Sequence, residues 1–301
     1  MKRPYEYGNE VARAVAANAP VVALETTVVT HGLPHPDGVT TALALEQIIR
    51  EAGATPATIG IIGGGIRIGL TRAELEQLAS TPGVPKINLG NFAAAVSSGQ
   101  PGSTTVAATM AAAYAGGIRV FATGGIGGVH RAAIESGDVS ADLTALSRIP
   151  VAVVSAGAKA VLDLPRTVEM LETLGVPVFG YGTDEFPAFY RRSSGLPVDR
   201  RYDSIGELAS AVRLHFSLGF GTGVLVANPI PIADEMPAEL YDRALHMALS
   251  EAETRGLRGR AVTPYLLDRI HALTGGDSVR ANVALLRHNA HVAAALAVAG
   301  V

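Results

Sequence analysis

The sequence predicts an α/β fold, a layered α/β/α arrangement with a mostly parallel central sheet and a helical carboxyl-terminal part packed on the same core. Two observations support this class: short apolar runs alternate with helical stretches along the 301 residues, and helix-forming sequence dominates after Asn228. No Pro- or Ser-rich linker and no repeat of fixed period divides the chain. We therefore expect residues 1–301 to form a single domain.

The apolar runs predict strands that are buried on both faces, because each is short, almost free of charge and bounded by Gly, Pro or polar residues. In chain order the runs are PVVALE from Pro20, ATIGIIGG from Ala57, KINLG from Lys86, RVFATGG from Arg119, PVAVVSAG from Pro150, PVFGYG from Pro177 and GVLVANP from Gly223.

Helices are predicted between these runs and after them. Thr71 followed by Glu74 has the spacing of a capping box at a helix start. The internal helical stretches are VTTALALEQIIREAG from Val39, TRAELEQLAS from Thr71, TVEMLETLG from Thr167 and SIGELASAVRLHFSLG from Ser204. We interpret the last three stretches, EMPAELYDRALHMALSEAETRG, TPYLLDRIHALTGG and DSVRANVALLRHNAHVAAALAVAG, as helices that close over the same sheet.

Composition limits the function classes. With 24 Lys and Arg against 27 Asp and Glu, the net charge is −3, which excludes a nucleic-acid binder driven by bulk charge. The chain has no Cys, so a metal would need oxygen or imidazole ligands. The amino terminus lacks an apolar signal segment, and no apolar stretch reaches the roughly 20 residues that span a membrane. We expect a cytoplasmic protein with no membrane partner.

Lysine is rare in this chain and therefore informative. The three lysines are Lys2, Lys86 and Lys159, and the other residues in the count of Lys and Arg are all Arg. A desolvated lysine can lose its proton and attack a carbonyl carbon, whereas arginine stays charged. Lys159 follows the strand PVAVVSAG, a position like that of the Schiff-base lysine in class I aldolases. A structural lysine held in a salt bridge explains the position equally well.

Glu25 ends the first fully apolar run, where a parallel sheet binds its ligands. Burial there would raise the pKa of the carboxyl group and suit it to general-acid chemistry. The alternative is a carboxylate that pairs with an arginine or caps the next helix. Position alone does not separate the two.

Loop residues offer further candidate ligands. The glycine-rich loops GGGIRIG and GGIGGVHR lack the dinucleotide fingerprint and are interpreted as tight turns. The segment QPGSTTVAAT predicts a helix start at which Ser103, Thr104 and Thr105 could bind phosphate or merely cap the helix.

Two acids in GDVSADL, Asp138 and Asp142, stand four residues apart and could hold a hard divalent ion. An N-cap followed by an exposed helical acid is the favoured alternative. His31 and His35 in THGLPHPD are interpreted as loop residues, because the glycine and prolines around them break the helix that paired imidazole ligands would need.

Taken together, several segments resemble the pseudouridine-5'-phosphate glycosidase family, also called the indigoidine synthase A-like family. The resemblance runs in order from about Pro20 to about Leu286. It implies reversible cleavage of the C–C bond of pseudouridine 5'-phosphate to uracil and ribose 5-phosphate, a manganese-type divalent ion and a homotrimer. The segments that carry it are ALETTVVTHGLPHP, PATIGIIGGGIRIGL, FATGGIGGVHR, DVSADL, VSAGAKAVLDLPRTVEMLETLGVPVFGY, VANPIP and LTGGDSVRANVALL.

The resemblance also implies site residues. Lys159 in AGAK matches the Schiff-base lysine, Glu25 in LET the proton donor and Asp138 the metal ligand. Phosphate recognition is expected at the helix start of Thr104 and Thr105. The other expected substrate-binding residues are Lys86, Val106, His130, Ser140, Ala141, Asp142 and Asn282. One segment departs from the family pattern: Lys86 is followed by INLGNFAAA, where the family usually has a Ser-x-Arg-Asp-like stretch.

The implied chemistry explains why a lysine is needed. In pseudouridine C1' is bonded to a carbon of uracil, so cleavage needs a covalent electron sink, which a lysine imine supplies. Two alternatives stay open: a Schiff-base aldolase or lyase that acts on another sugar phosphate, and a non-catalytic ligand-binding member of the fold.

Overall fold

One sheet of eleven strands runs through the computed structural model, which describes residues 4–34, 36–131, 133–257 and 262–301. The strands are β1 (Tyr5–Tyr7), β2 (Val21–Leu24), β3 (Thr55–Ile62), β4 (Gly65–Ile68), β5 (Lys86–Ile87), β6 (Gly102–Thr104), β7 (Val120–Ala122), β8 (Ala152–Ser155), β9 (Val178–Tyr181), β10 (Arg200–Tyr202) and β11 (Val224–Ala227). All seven predicted strands are present, whereas β1, β4, β6 and β10 were not predicted.

The helices surround this sheet. They are α1 (Asn9–Ala16), α2 (Asp37–Glu51), α3 (Arg72–Ser80), α4 (Phe92–Ser98), α5 (Val106–Ala115), α6 (Ala133–Ser136), α7 (Ala141–Leu146), α8 (Leu164–Thr173), α9 (Ile205–Ser217), α10 (Ala238–Thr254), α11 (Val262–Leu273) and α12 (Asp277–Val298). The predicted capping box is confirmed at α3, where the Thr71 hydroxyl and the Glu74 carboxylate each accept a hydrogen bond from the other residue's backbone N–H. None of the described helices is long and apolar enough to cross a membrane.

The strand order is β1-β4-β3-β2-β7-β8-β11-β9-β10, and β6 joins β3 to β5. Among the described strand pairs only β3–β4 and β3–β6 are antiparallel. Helix α12 packs on β2, β7 and β8 and contacts α2 and α9, while α5 packs on β2 and β3 and contacts α7. The predicted α/β class, with a mostly parallel sheet and carboxyl-terminal helices on the same core, is confirmed.

The branch at β3 shapes the end of the sheet. Strand β2 pairs with β3 only as far as Thr58, and beyond that point β6 pairs with Gly60 and Ile61 on the same side. Strand β6 therefore lies where a longer β2 would continue. This arrangement brings Lys86, at the start of β5, beside the residues that leave β2.

Two buried asparagines tie α12 to the sheet. Asn289 Nδ2 donates to the carbonyl of Thr123 at 2.8 Å, and Asn228 Nδ2 donates to Asn289 Oδ1 at 2.8 Å. Both side chains are buried. Because a buried polar group without a partner is costly, this bridge fixes α12 against the loop after β7.

We predict that Asn289→Ala lowers the free energy of unfolding by about 3 kcal/mol, because it leaves buried groups of Asn228 and Thr123 without partners. Urea unfolding followed by circular dichroism measures the change. The control is Asn9→Ala at the exposed start of α1, which should shift stability by no more than about 0.5 kcal/mol. Equal effects of the two variants would contradict the assigned bridge.

Candidate active site

A concave site lies beyond the carboxyl ends of β2, β7 and β8, and its empty space, including the part open to solvent, is about 490 Å³. Four of the predicted site residues line it together: Glu25, Lys86, Lys159 and Asn282. The edge of the sheet that the sequence indicated therefore holds a concave site, where parallel sheets bind their ligands.

Glu25 is a buried acid at this site. Only 7% of the residue is exposed, and its Oε1 accepts a short hydrogen bond from the Thr123 hydroxyl. Burial raises the pKa of the carboxyl group, and this effect exceeds the opposing influence of Lys159 and of the Thr123 hydrogen bond. In the described structure Glu25 neither pairs with an arginine nor caps a helix, so the general-acid interpretation is the one that the geometry favours.

Within the described parts of the chain, the two lysines of the cavity have no fixed partner. Among the described residues neither ammonium group forms a salt bridge or a hydrogen bond, so Lys159 is not the salt-bridged structural lysine of the alternative interpretation. Burial lowers the pKa of Lys86, and the charge of Lys159 lowers it further. The cavity thus concentrates positive charge that is free to meet an anionic ligand.

Backbone pairing beyond the strands positions Lys159. Ile126 N–H donates to the carbonyl of Gly157, and Lys159 N–H donates to the carbonyl of Ile126, both at 3.0 Å. Gly157 has a φ of +80°, and a Cβ there would lie 2.1 Å from the carbonyl oxygen of Pro187. Only glycine fits this crossing, so the loop after β8 holds Lys159 rigidly.

Asp142 connects two loops instead of facing the cavity. Its Oδ1 accepts from Ala107 N–H at 2.9 Å and its Oδ2 from Gly127 N–H at 2.7 Å, so the carboxylate sits at the start of α5. Ser140 is the N-cap of α7, which begins at Ala141. These residues support the glycine loop beside the cavity.

The helix start predicted from QPGSTTVAAT is present with Thr105 as its N-cap, but Ser103 and Thr104 lie in the strand before it. Thr104 lies in β6, is fully buried and donates its hydroxyl hydrogen bond to the carbonyl of Ile59 at 2.6 Å. Thr105 is the N-cap, and α5 begins at Val106, which is also buried. A three-residue strand directly before the helix is the reason for the difference.

Asp138 and His130 lie together at the side of the glycine loop. His130 Nδ1 is 3.8 Å from Asp138 Oδ2, and about a third of the Asp138 side chain is exposed. The described residues contain no group of three or more His, Cys, Asp or Glu side chains that could hold a metal. His31 lines the cavity, and His35 lies outside the described residues.

Sequence reasoning missed several residues of the cavity wall. Thr123, the partner of Glu25, is the last residue of the apolar run RVFAT, and its position at a strand end was the available signal. Phe189 and Leu267 come from distant segments with no readable pattern. Phe189 has a positive φ of 62°, a conformation rare for a bulky residue and often found at functional sites.

Comparison with known proteins identifies the family. The family model described as indigoidine synthase A like protein matches residues 10–299, and the chain belongs to that family. A pseudouridine-5'-phosphate glycosidase of Methylobacterium nodulans is 53% identical over 98% of this chain and 87% of its own length. Another, from a Jannaschia species, is 52% identical over 99% of this chain and 98% of its own length.

Solved structures agree with this assignment. The prealnumycin C-glycosynthase AlnA, solved in complex with ribulose 5-phosphate, superposes with a TM-score of 0.92 at 39% identity and covers 99% of this chain and 97% of its own. An indigoidine synthase A-like protein of Thermotoga maritima has a TM-score of 0.89 at 35% identity, with the same coverage.

We predict that Glu25→Gln stabilises the protein increasingly as pH rises. Near pH 4 both side chains are uncharged in the folded state. Above the ordinary glutamate pKa the unfolded chain releases the proton that buried Glu25 keeps, so the wild type loses stability, about 1.4 kcal/mol per unit of raised pKa. Urea unfolding at pH 4 and pH 7 measures this. A stability difference that is the same at both pH values would contradict the raised pKa.

Proposed function

We propose that this protein reversibly cleaves the C–C glycosidic bond of pseudouridine 5'-phosphate, giving uracil and ribose 5-phosphate through an imine on Lys159. The observation that carries the proposal is one cavity in which a buried acid of raised pKa lies with a lysine that forms no salt bridge or hydrogen bond through its ammonium group to the described residues. The names of the close relatives support the substrate. A sugar phosphate in the related AlnA complex supports the ribose half.

Lys159 acts as the nucleophile. Its neutral amine bonds to C1' as the bond from C1' to the ring oxygen breaks, and the nitrogen then loses a proton. The nitrogen lone pair forms the imine as the bond from C1' to uracil C5 breaks, and C5 takes up a proton to give uracil. Water releases ribose 5-phosphate from the imine. The backbone hydrogen bonds around Gly157 fix the point of the chain from which the Lys159 side chain enters the cavity.

Glu25 acts as the proton donor to the ring oxygen. A carboxyl group with a raised pKa keeps its proton near neutral pH and can give it to the oxygen as the sugar ring opens. Thr123 donates to Glu25 Oε1 and thereby directs the other oxygen, with its proton, toward the cavity.

The remaining predicted residues would bind and orient the substrate. Lys86 supplies positive charge for the phosphate, and Asn282 supplies hydrogen bonds from α12. Thr105 stands at the start of α5 next to Lys86's strand, where its hydroxyl donates to the carbonyl of Ile87. Further contacts are assigned to Val106, His130, Ser140 and Ala141. Thr104 and Asp142 support the site without contacting the substrate, because their polar atoms form hydrogen bonds with backbone groups.

A divalent ion, of the manganese type, is proposed at Asp138. The described residues offer it this one carboxylate with His130 nearby, and water would complete the coordination, as in other sites for hard cations. A bound ion of this kind would supply fixed positive charge and ordered water next to the substrate.

A homotrimer is also proposed. Three large apolar side chains, Leu214, Leu218 and Phe220, are 55–70% exposed at the end of α9 and in the loop that follows. Adjacent exposed apolar groups of this size are typical of an interface between subunits. A molecular mass equal to that of one chain, measured by sedimentation equilibrium, would exclude the homotrimer.

We predict that Lys159→Arg abolishes uracil release from pseudouridine 5'-phosphate, because a guanidinium group keeps the charge but cannot form an imine. Chromatographic measurement of uracil gives the rate. The matched control is Arg166→Lys on the exposed surface of α8, which should retain full activity. Wild-type protein that cleaves other sugar phosphates but releases no uracil would instead support the aldolase alternative.

We predict that free pseudouridine is a much poorer substrate than its 5'-phosphate. The net charge of −3 gives no bulk attraction for a dianion, so local donors such as Lys86 must hold the phosphate. Losing one charged hydrogen bond costs about 1.5–3 kcal/mol, or roughly ten- to a hundred-fold in affinity. The comparison of kcat/KM for the two compounds decides the matter, and near-equal values would refute the phosphate site.

We predict that Mn²⁺ binds at Asp138 and that Asp138→Asn weakens the binding at least ten-fold, because the ion has no second protein carboxylate in the described site. Electron paramagnetic resonance of added Mn²⁺ measures free and bound ion without reference to turnover. EDTA should also abolish uracil release, and manganese should restore it. Unchanged Mn²⁺ binding by the variant would show that the metal does not bind at Asp138.

A further inference from the structure

His31 is a cavity residue that the proposed mechanism leaves without a role. It lies in the π-helical turn Val28–Gly32, six residues after Glu25, and its side chain lines the cavity. Short π-helical turns occur frequently at functional sites, because they displace one side chain from the regular helical positions. The turn packs against α2, α3 and α11, which holds the imidazole in place.

The contacts of Thr30 bear on which nitrogen of His31 carries the proton. Thr30 Oγ1 lies 2.6 Å from His31 Nδ1, 2.9 Å from Ser103 Oγ and 3.4 Å from the carbonyl oxygen of Thr26. A hydroxyl group has a single proton, so when Thr30 donates to Ser103 or Thr26 it can only accept from His31. In that arrangement the neutral imidazole carries its proton on Nδ1 and a free lone pair on Nε2, and this is the tautomer that we assign.

The Nε2 atom is open to the cavity. It makes no hydrogen bond with the described residues, and it is not among their buried atoms that lack a partner. Burial lowers the pKa of His31, and the nearby charge of Lys86 lowers it further. The charge of Asp268, on α11, acts in the opposite direction to burial and raises the pKa of Lys86. The lowered pKa favours the neutral imidazole near pH 7, and Nε2 faces the ligand space.

The other polar groups of this space include both donors and acceptors. Lys86 offers N–H groups, and Glu25 keeps its proton because of its raised pKa. The hydroxyl protons of Thr27 and Thr123 are donated to the carbonyl of Thr104 and to Glu25, so toward the cavity these two oxygens can only accept. A substrate with several hydroxyl and N–H groups needs several acceptors, and Nε2 of His31 adds one to them.

We propose that His31 is a substrate-binding residue whose Nε2 accepts a hydrogen bond from an O–H or N–H group of the bound substrate. The inference rests on the proposed function, since it takes the substrate to be a ribose phosphate joined to uracil. The donor is either a ribose hydroxyl group or a uracil N–H group. Both present the same chemistry to a neutral imidazole, and separate measurements on the two halves of the substrate distinguish them.

The test uses His31→Phe, which keeps a planar ring but removes the acceptor. We expect kcat/KM for pseudouridine 5'-phosphate to fall about ten-fold or more, because a substrate donor loses its partner. If the donor is a ribose hydroxyl group, the dissociation constant of ribose 5-phosphate, measured by titration calorimetry, rises to the same extent. If it is a uracil N–H group, that constant is unchanged and the KM for uracil in the synthetic direction rises instead.

A matched control and a pH profile separate binding from a structural effect. His288→Phe replaces another half-buried histidine whose pKa is also lowered by burial but which lies outside this cavity, and it should leave kcat/KM unchanged. In the wild type, kcat/KM should fall as pH drops through the His31 pKa, below about 6.5, because the protonated ring cannot accept. The His31→Phe profile should lack that fall.

A measurement on the unmodified protein covers the case in which the variant does not fold. In ¹⁵N spectra of the free protein, His31 should show a protonated Nδ1 and an unprotonated Nε2, and Nε2 should shift when substrate or ribose 5-phosphate with uracil is added. The inference is overturned if the other tautomer is found, or if His31→Phe changes neither kcat/KM nor either binding constant. Failure of the wild type to release uracil would refute the proposed function, while the tautomer result would stand separately.

Discussion

The removal of Glu25 from water is the constraint on which the rest of the site depends. An acid at the end of a fully buried strand keeps its proton because the charged form is costly there, and nearby lysines only partly offset that cost. Neither lysine forms an ion pair with another described residue, so their charges remain available to a ligand. The proposed acid, nucleophile and anion-binding charge can coexist in this cavity because no salt bridge among the described residues neutralises them.

The sheet produces this arrangement by ending β2 early. Strand β6 pairs with β3 beyond the last residue of β2, which brings Lys86 to the point where Glu25 leaves the sheet. Glycine at position 157 permits the backbone crossing that holds Lys159, and Asn289 anchors the opposite loop from α12. Strand β6 and Asn289 are far in the chain from the residues that they support, and the crossing at Gly157 pairs with distant Ile126, so the site exists only in the completed fold.

The parts of this fold that could be predicted are those with a local signal. Runs of apolar residues indicated β2, β3, β5, β7, β8, β9 and β11, and the Thr71–Glu74 spacing indicated a helix start. Strand β6 has no such signal, because Ser and Thr residues directly before a helix are typical of an N-cap. The sequence therefore predicts a helix start at Thr104, where the structure has a strand. Asp142 could not be assigned its partners because they lie 15 and 35 residues away. The tautomer of His31 likewise depends on Ser103, which is distant in sequence.

Lys159 is the residue proposed to carry the covalent chemistry, and trapping its adduct tests that role most directly. Borohydride reduction in the presence of ribose 5-phosphate should add the mass of the reduced sugar to the peptide that contains Lys159, as read by mass spectrometry after digestion. Lys86 is the internal comparison, because it lines the same cavity and burial lowers the pKa of its amine. Modification of the Lys159 peptide is the result that this account predicts. Modification of the Lys86 peptide instead, or of neither, would contradict it.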